Sequence, residues 1–476
     1  MRKTNKIQRT KIVATIGPQT ANSKKLRMMY KAGMSIARLN GSHNTLEWHS
    51  NTIKLIRKVL PDFPILIDIP GKKIRTASLK HEPRFSISDE VILTTSSGYN
   101  GENKVSITNN LLHKYISKGD EVFADDGTLK FLVNKVVGRD IYVKAKTKGV
   151  LKSSKGINVP HINIGGPLIT NRDIRMIEFA KSKEVDFLGI SFVESPMHIK
   201  KIRNLIGSHS PYIVAKIENQ KGLDNLDDII KEADAIMIDR GDLSTETNIE
   251  NLAINQKNII KKANLSCTPV IVATEMLDNM ITNPFPTKAE VLDISNSILD
   301  GASATMLSGE TAVGNFPIEA IKVMSNISSA VITNKNIRYK KFSKETSSSA
   351  MGEAIASLCS KLPITKVIAI TMSGYAARIV SSQMLSQPII AVSNDKKVSR
   401  ALNILSGTKG VFCDTRFYKD NLEHIPKCLF HLWKNKEILN DDLILVTALG
   451  YPGSGNRMNL IQTHTVKNLT NLLSWK

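Results

Sequence analysis

Short apolar runs rich in β-branched residues recur along this chain, each followed by a longer stretch in which apolar positions return every three or four residues. The runs fall at Ile12 to Ile16, Ser35 to Leu39, Pro64 to Ile69, Asp186 to Phe192, Tyr212 to Ile217, Ala235 to Ile238, Val270 to Thr274 and Ala304 to Leu307. The amphipathic stretches are Ser23 to Ala32, Leu46 to Val59, Asn171 to Lys183, Pro196 to Ile206, Leu226 to Glu232, Ile249 to Ala263, Lys288 to Asp300 and Pro317 to Ser325. Strands that are apolar on both faces belong in a parallel sheet covered on both sides. Eight βα units in succession therefore predict an α/β fold, a (β/α)8 TIM barrel.

The periodicity changes twice. Between Pro70 and about Asn163 it becomes alternating and Gly-punctuated, with short strands such as Glu90 to Thr94, Glu121 to Ala124 and Ile141 to Ala145. This predicts an inserted all-β domain over residues 70–162, leaving a barrel strand at its C-terminal end and lying over the active-site face as a lid. The barrel then comprises residues 1–69 and 163–335. After a Lys- and Ser-rich linker, Asn334 to Ser349, βαβ patterning resumes at Val367 to Thr371, Ile389 to Val392 and Leu443 to Thr447. It predicts a C-terminal doubly wound α/β domain over residues 345–476. Three domains suit a chain of 476 residues, which exceeds the size at which one core stops growing.

The formal net charge of +22, from 65 Lys and Arg against 43 Asp and Glu, suits anionic partners. The basic residues are spread over helical polar faces, as at Lys200, Lys201, Arg203 and Lys257, Lys261, Lys262, and aromatics make up only 5% of the chain. That distribution argues against a nucleic-acid tract and for ordinary solvated helical faces, phosphorylated metabolites remaining among the anionic partners the net charge suits. Cys267, Cys359, Cys413 and Cys428 have neither metal-ligand spacing nor the density of a disulfide framework. Reduced thiols, a polar N-terminus and the lack of any run of about 18 apolar residues predict a cytoplasmic protein without a membrane partner.

Polar clusters stand where the apolar runs stop: Lys216-Ile217-Glu218-Asn219, Arg240-Gly241-Asp242, Ala273-Thr274-Glu275 and Leu307-Ser308-Gly309-Glu310. Arg38, Asn40 and Ser42 follow the second run, and Asp68 and Arg75 the third. In a parallel barrel these ends converge on one rim. Two carboxylates suit Mg²⁺ or Mn²⁺, and two arginines with a lysine suit a phosphoryl group that needs charge neutralised from several sides. Metal-assisted phosphoryl transfer is the chemistry these residue types share. Any one of them alone would be ordinary at a barrel rim: an ion-pair partner, or for Thr274 a hydroxyl bonding its own backbone.

The chain resembles pyruvate kinases over essentially its whole length. The resemblance rests on Thr10-Lys11-Ile12-Val13-Ala14-Thr15-Ile16-Gly17-Pro18, Ala32-Gly33-Met34, Ala37-Arg38-Leu39-Asn40 and Met306-Leu307-Ser308-Gly309-Glu310-Thr311-Ala312. Ala124-Asp125-Asp126-Gly127, Ser154-Lys155-Gly156-Ile157-Asn158, Arg240-Gly241-Asp242-Leu243 and Ala273-Thr274-Glu275-Met276-Leu277 complete it, each moderately specific alone and highly specific in this order. It implies the same three-domain fold, a homotetramer, and transfer of the phosphoryl group of phosphoenolpyruvate to ADP, giving pyruvate and ATP. Carried over by position, it implies Lys216 as the cation against the moving phosphoryl group, Glu218 and Asp242 as Mg²⁺ ligands, and Arg38 and Arg75 as a phosphate clamp. Gly241 would meet the substrate carboxylate through its N–H, and Thr274 would bond that carboxylate or relay a proton. Asn40, His43, Arg75 and the lid residue Lys155 would face the nucleotide; Asn40, Ser42, Asp68 and Ile69 would hold a monovalent cation where one is needed. In the C-terminal domain Thr371, Ser373, Gly374, Gly453, Ser454 and Gly455 are similar to loops that cradle an effector's phosphate, and equally fit a helix cap and a Gly-rich turn.

Several positions depart from the family pattern. Lys73 stands where members that need K⁺ carry Glu, which predicts that K⁺ is dispensable. Asp239 replaces the usual Ala, Ser244-Thr245 the usual Gly-Val, Glu194 an Arg, and Ser381-Ser382-Gln383 lacks the common Tyr-Arg-Pro. An inward Asp239 would repel an anionic substrate or recruit Arg240; a helix-facing one would matter little. The Leu307 to Glu310 segment reads as barrel-closing structure. Two other functions fit parts of the chain: a Mg²⁺-dependent lyase or decarboxylase of pyruvate-like 2-oxo acids, which needs no phosphate clamp, and a catalytically weak basic scaffold.

Overall fold

The computed structural model describes residues 7–125, 127–160, 162, 168–207, 210–333, 347–417, 421–448 and 458–475. Strands β1 (Lys11–Thr15), β2 (Ile36–Asn40), β3 (Ile65–Ile69), β4 (Phe187–Ile190), β5 (Tyr212–Ile217), β6 (Ala235–Asp239), β7 (Val270–Ala273) and β8 (Ala304–Leu307) close a barrel. Each pairs in parallel with its neighbours in sequence, and β8 returns to β1. Alternation divides their side chains. Ala37, Leu39, Ile65, Ile67, Ile213, Ala215, Ile236 and Ile238 pack outward with the helices. Val13, Ile36, Leu66, Tyr212, Val214, Met237 and Ile271 fill the interior.

Helices α1 (Ser23–Ala32), α2 (Leu46–Val59), α3 (Asn171–Ser182), α4 (Pro196–Ile206), α5 (Leu226–Glu232), α6 (Leu252–Leu265), α7 (Lys288–Leu299) and α8 (Pro317–Thr333) surround the barrel. Their starts are written in side chains. Asn22 and Thr45 accept N–H groups of the first turns of α1 and α2, and Thr170 with Asp173 and Thr287 with Glu290 form capping boxes on α3 and α7. Helix α8 runs well past Ser325, because Ile327 and Val331 continue its apolar stripe.

The insert is a seven-stranded sheet in the order Ile74–Arg75, Gly156–Asn158, Glu121–Ala124, Leu129–Val137, Asp140–Ala145, Glu90–Thr94, Val105–Ser106, with its own core around Leu93, Phe131, Ile141 and Val143. The C-terminal part holds helices α9 (Ser347–Lys361) and α10 (Tyr375–Ser382) and a five-stranded sheet. Its strands are β9 (Lys366–Ile370), β10 (Ile389–Ser393), β11 (Thr408–Phe412), β12 (Leu443–Ala448) and β13 (Leu460–Thr465), ordered β11-β10-β9-β12-β13 with β13 antiparallel. The two edge strands, Thr-Lys-Gly-Val-Phe and Leu-Ile-Gln-Thr-His-Thr, lack the apolar run that marks the inner three. This sheet docks beneath the barrel, at the strand starts. Val13, Leu66, Phe187 and Met237 share one apolar cluster with Val367, Ile389, Leu402 and Leu445. Arg400 pairs with Asp186 at 2.6 Å, and the buried Lys11 ammonium donates to the Thr408 carbonyl at 2.5 Å. The opposite rim, where strands end, is left to the lid.

Candidate active site

The alternation that fills the barrel continues upward into chemistry. Inward residues of β2 run Ile36, Arg38, Asn40; of β3, Leu66, Asp68; of β5, Tyr212, Val214, Lys216 and then Glu218; of β6, Ala235, Met237, Asp239. Asp239 therefore faces inward, and its partner is Lys216 rather than Arg240. The Lys216 ammonium lies 2.7 Å from Glu218 Oε1, 3.0 Å from Asp239 Oδ2, 3.3 Å from Ser191 Oγ and 3.9 Å from Asp68 Oδ2. Burial by itself would depress its pKa, but Glu218, Asp239 and Asp68 together hold it above the ordinary lysine value, so it is a cation throughout.

Arg38 is locked in place. Its Nε and Nη2 donate to Asp68 Oδ2 at 2.9 and 2.7 Å, and Nη1 donates to Thr15 Oγ1. Gly189 on β4 gives Asp68 its room, since a Cβ there would stand 2.2 Å from Asp68 Oδ1. On the far side Asp242 takes a 2.6 Å ion pair from Lys73, at the root of the lid. Asn158 from the lid donates to both Asp242 and Glu246. Burial first, then Asp239 as a like charge, raises the Asp242 pKa against the pull of Lys73. Glu246 is pushed up to about 7, chiefly by burial. Glu218 accepts from the Phe192 N–H and is raised by burial, with Asp239 and Asp242 opposing the relief given by Lys216.

A second group of cations faces this floor. His43 is held below the ordinary histidine value by burial and then by the charges of Arg75, Arg38, Arg172 and Lys155. Arg75, in the first strand of the lid, donates to the Ser154 carbonyl at 3.0 Å, and Lys155 pairs with Asp125 at 2.6 Å. Arg172, near the start of α3, reaches the carbonyls of Gly41 and Ser42. Sequence reasoning passed over Arg172, Lys73 as an Asp242 partner, and Asn158 as a bridge, because each reaches the site across more than 80 residues of chain.

The turn after β7 departs from the expected roles. Arg240 points away from the floor: it pairs with Asp293 at 2.5 Å and donates to the carbonyls of Thr274 and Glu275. It thereby holds those two residues at φ of 68° and 51°, a region costly for side chains with a Cβ. Thr274 Oγ1 accepts the Gly241 N–H at 2.9 Å and donates to the Ala273 carbonyl at 2.6 Å. The group expected to meet a substrate carboxylate is thus engaged by Thr274 here. Glu310, buried, accepts from Leu277 and Ser308 N–H groups and ties β8 to the loop after β7, a structural role.

Of the monovalent-cation set, Asn40 Oδ1 accepts from the Ser42 N–H, the Ile69 carbonyl accepts from Ser191 Oγ, and Asp68 is committed to Arg38. In the C-terminal domain Thr371 Oγ1 accepts the Gly374 N–H, and Gly374, at φ 86°, leads from Ser373 into α10. Gly453, Ser454 and Gly455 lie outside the described residues. Glu194 meets Lys221 at 3.7 Å on the surface.

Glu218, Asp239 and Asp242 each offer a carboxylate oxygen within 4.8 Å of the other two, and all three are buried. Hard oxygen donors at this density fit Mg²⁺ or Mn²⁺. The charge count fits as well: with Asp68 matched by Arg38, three carboxylates share two ammonium groups, Lys216 and Lys73.

A barrel rim that sets a lysine among clustered carboxylates and faces them with further arginines and a lid lysine is built to move a phosphoryl group, which makes this a phosphotransferase of the (β/α)8 class. Residues 7–321 match the family model described as pyruvate kinase, barrel domain, and residues 349–464 that described as pyruvate kinase, alpha/beta domain. The chain belongs to the pyruvate kinase family, whose reaction is phosphoryl transfer from phosphoenolpyruvate to ADP. It is 36% identical to a pyruvate kinase of Bacillus licheniformis, covering 97% of this chain and 81% of that one. It is 37% identical to one of Clostridium perfringens, covering 94% and 97%. A crystal structure of a pyruvate kinase from Cryptosporidium parvum superposes with a TM-score of 0.83 at 29% identity, over 96% of each chain.

Proposed function

We propose that this chain converts phosphoenolpyruvate and ADP to pyruvate and ATP at the rim of its barrel, with Lys216 as the cation that follows the phosphoryl group. The observation that carries this is the placement of a buried, permanently charged lysine between the carboxylates of Glu218 and Asp239 and the locked Arg38 guanidinium. Arg38 binds the substrate phosphate from a fixed position; Arg75 and Lys155 approach from the lid and supply the nucleotide side of the clamp, with Asn40 and His43 beneath them. Thr274 and the Gly241 N–H, bonded to each other here, exchange that bond for the substrate carboxylate. Glu218 and Asp242 are the residues that hold Mg²⁺, which supplies Lewis-acid stabilisation of the enolate when bound. Lys216 neutralises charge as the phosphoryl group passes between oxygens, in a site where preorganised cations need no reorganisation during the reaction.

The family's members are typically oligomers that work with Mg²⁺ and K⁺. For this chain we propose a homotetramer, dispensable K⁺ because Lys73 already places an ammonium on Asp242, and a cytoplasmic setting; among the described residues no helix is long and apolar enough to cross a membrane. The test is a lactate dehydrogenase-coupled assay for pyruvate, with ADP and then Mg²⁺ omitted, on the wild type and on Lys216→Met. Turnover that needs both additions and falls by several orders of magnitude in a folded Lys216→Met protein is expected. Pyruvate release that is indifferent to ADP would overturn the kinase reading in favour of a lyase.

A further inference from the structure

The strand end Met237-Ile238-Asp239 sets a third carboxylate on the floor of the site, beside Glu218 and Asp242. Its direction follows from alternation: Met237 fills the barrel and Ile238 meets the helices, so Asp239 turns inward. Pairing of Lys216 with Met237 and of Ile217 with Ile238 across β5 and β6 makes Asp239 the next step opposite Glu218. An oxygen of each of the two acids lies within 4.8 Å of the other, and both are buried. Two carboxylates that close are held together by something positive, a shared proton or a cation between them. Lys216 bridges them on one side only, through Glu218 Oε1 and Asp239 Oδ2.

We infer that Asp239 is a third protein ligand of the divalent cation beside Glu218 and Asp242, so that the protein's own affinity for that cation depends on it. The inference rests on reading Glu218 and Asp242 as metal ligands. Three observations carry it further. An oxygen of each of the three acids lies within 4.8 Å of the others, so that only small side-chain shifts separate them from a shared coordination sphere. The three carboxylates, with Glu246 beside them, outnumber the two ammonium groups that touch them, and the excess of buried negative charge has to be neutralised by a proton or by a cation. Asn158, 1% exposed and donating to Asp242, keeps its Oδ1 without a hydrogen-bond partner at the edge of the same group. Affinity for hard cations climbs with the number of charged oxygen ligands. With two acids and a neutral third position, the substrate's own oxygens have to complete the site; with three acids the protein completes more of it alone.

The test uses the full-length protein without phosphoenolpyruvate. Mn²⁺ is titrated at fixed ionic strength and the free aquo ion is counted by its electron paramagnetic resonance signal, for the wild type, Asp239→Ala, Asp239→Asn and Glu218→Gln, with thermal melts confirming that each is folded. Expected is saturable Mn²⁺ binding by the wild type at one site, weakened at least about tenfold, about 1.4 kcal/mol, in Asp239→Ala and by a smaller factor in Asp239→Asn. If Glu218→Gln loses affinity while both Asp239 variants bind like the wild type, Asp239 is only a partner of Lys216 and the inference fails alone. The same failure follows if the wild type binds no Mn²⁺ without substrate. If Glu218→Gln also binds unchanged, the metal reading of the floor fails with it.

Discussion

Lys73 is the residue whose removal should change the enzyme's ion requirements. Its ammonium sits 2.6 Å from Asp242, with 13% and 8% of the two side chains exposed, and the Gly156 backbone flanks its stem so closely that a Cβ there would stand 2.6 Å from Lys73 Cε. Lys73→Met deletes one positive charge from a mostly dry site. At an effective dielectric of about 20, a unit charge about 4 Å away is worth about 4 kcal/mol. Water entering at the root of the lid returns part of that, leaving roughly 1.5–3 kcal/mol against a highly charged anion, or about ten- to a hundredfold in KM for phosphoenolpyruvate. A monovalent cation can restore the missing charge, so the variant should gain a response to K⁺ that the wild type lacks. Initial rates are to be compared in KCl and in tetramethylammonium chloride at equal ionic strength. The wild type should differ by less than about tenfold between the salts and Lys73→Met by more. Stimulation of the wild type by more than about tenfold, or a variant with unchanged KM in both salts, would refute the assignment of Lys73 as a built-in cation.

Other perturbations have equally definite outcomes. Gly189→Ala would thrust a methyl group to 2.2 Å from Asp68 Oδ1; displacing Asp68 frees Arg38, so kcat/KM should fall at least about tenfold and stability by about 1–3 kcal/mol, and a fully active Gly189→Ala protein would show that the Asp68–Arg38 pair is not what fixes the phosphate site. Arg240→Ala removes the clamp on the left-handed Thr274-Glu275 turn and should lower the melting temperature along with kcat, whereas loss of kcat with an unchanged melt would point to a direct role for Arg240 in the reaction. His198, 3% exposed, has its pKa lowered to about 4 by burial and then by Lys72. A base whose folded pKa is depressed stabilises fully above its unfolded value near 6.5 and loses that contribution as pH falls toward 4; about 2 kcal/mol should therefore go between pH 7 and pH 5. His198→Gln should shrink the shift in urea midpoint over that interval, and an identical shift in both proteins would show that His198 does not titrate in this way.

The barrel was legible in the sequence because its strands are apolar on both faces and α1, α2, α3 and α7 carry side-chain start signals, such as Thr170 with Asp173. Strand parity also held more than the motifs did: once Met237 is placed inside, Asp239 must follow it, whatever the family pattern says at that position. Parity cannot show partners. That Asp239 engages Lys216 while Arg240 turns to Asp293 depends on the turn after β7, and that Lys73 reaches Asp242 depends on how the lid root meets the barrel, 169 residues away in sequence. Arg172 was hidden for a different reason, since an arginine in the first turn of a helix looks like any exposed polar position. The edge strands β11 and β13 carry Lys, Gly, Gln and His where inner strands carry Ile and Val, so nothing in their composition separates them from loop.

The docking of the C-terminal sheet under the barrel bears on how the chain can be divided. Two family models describe it in tandem, at residues 7–321 and 349–464, as if it could be cut at the linker. Yet Val13, Leu66, Phe187 and Met237 share a single apolar cluster with Val367, Ile389 and Leu445, and Asp186 and Lys11 spend their charge or donor on Arg400 and Thr408. A barrel expressed without residues beyond 345 would carry an oily floor, with Asp186 left to Arg57 and the Lys11 nitrogen deprived of the Thr408 carbonyl, and would be expected to precipitate or to recruit a substitute cover. The catalytic half is therefore a separable domain in sequence but half of a sealed unit in solution, and its activity has to be studied in the intact chain.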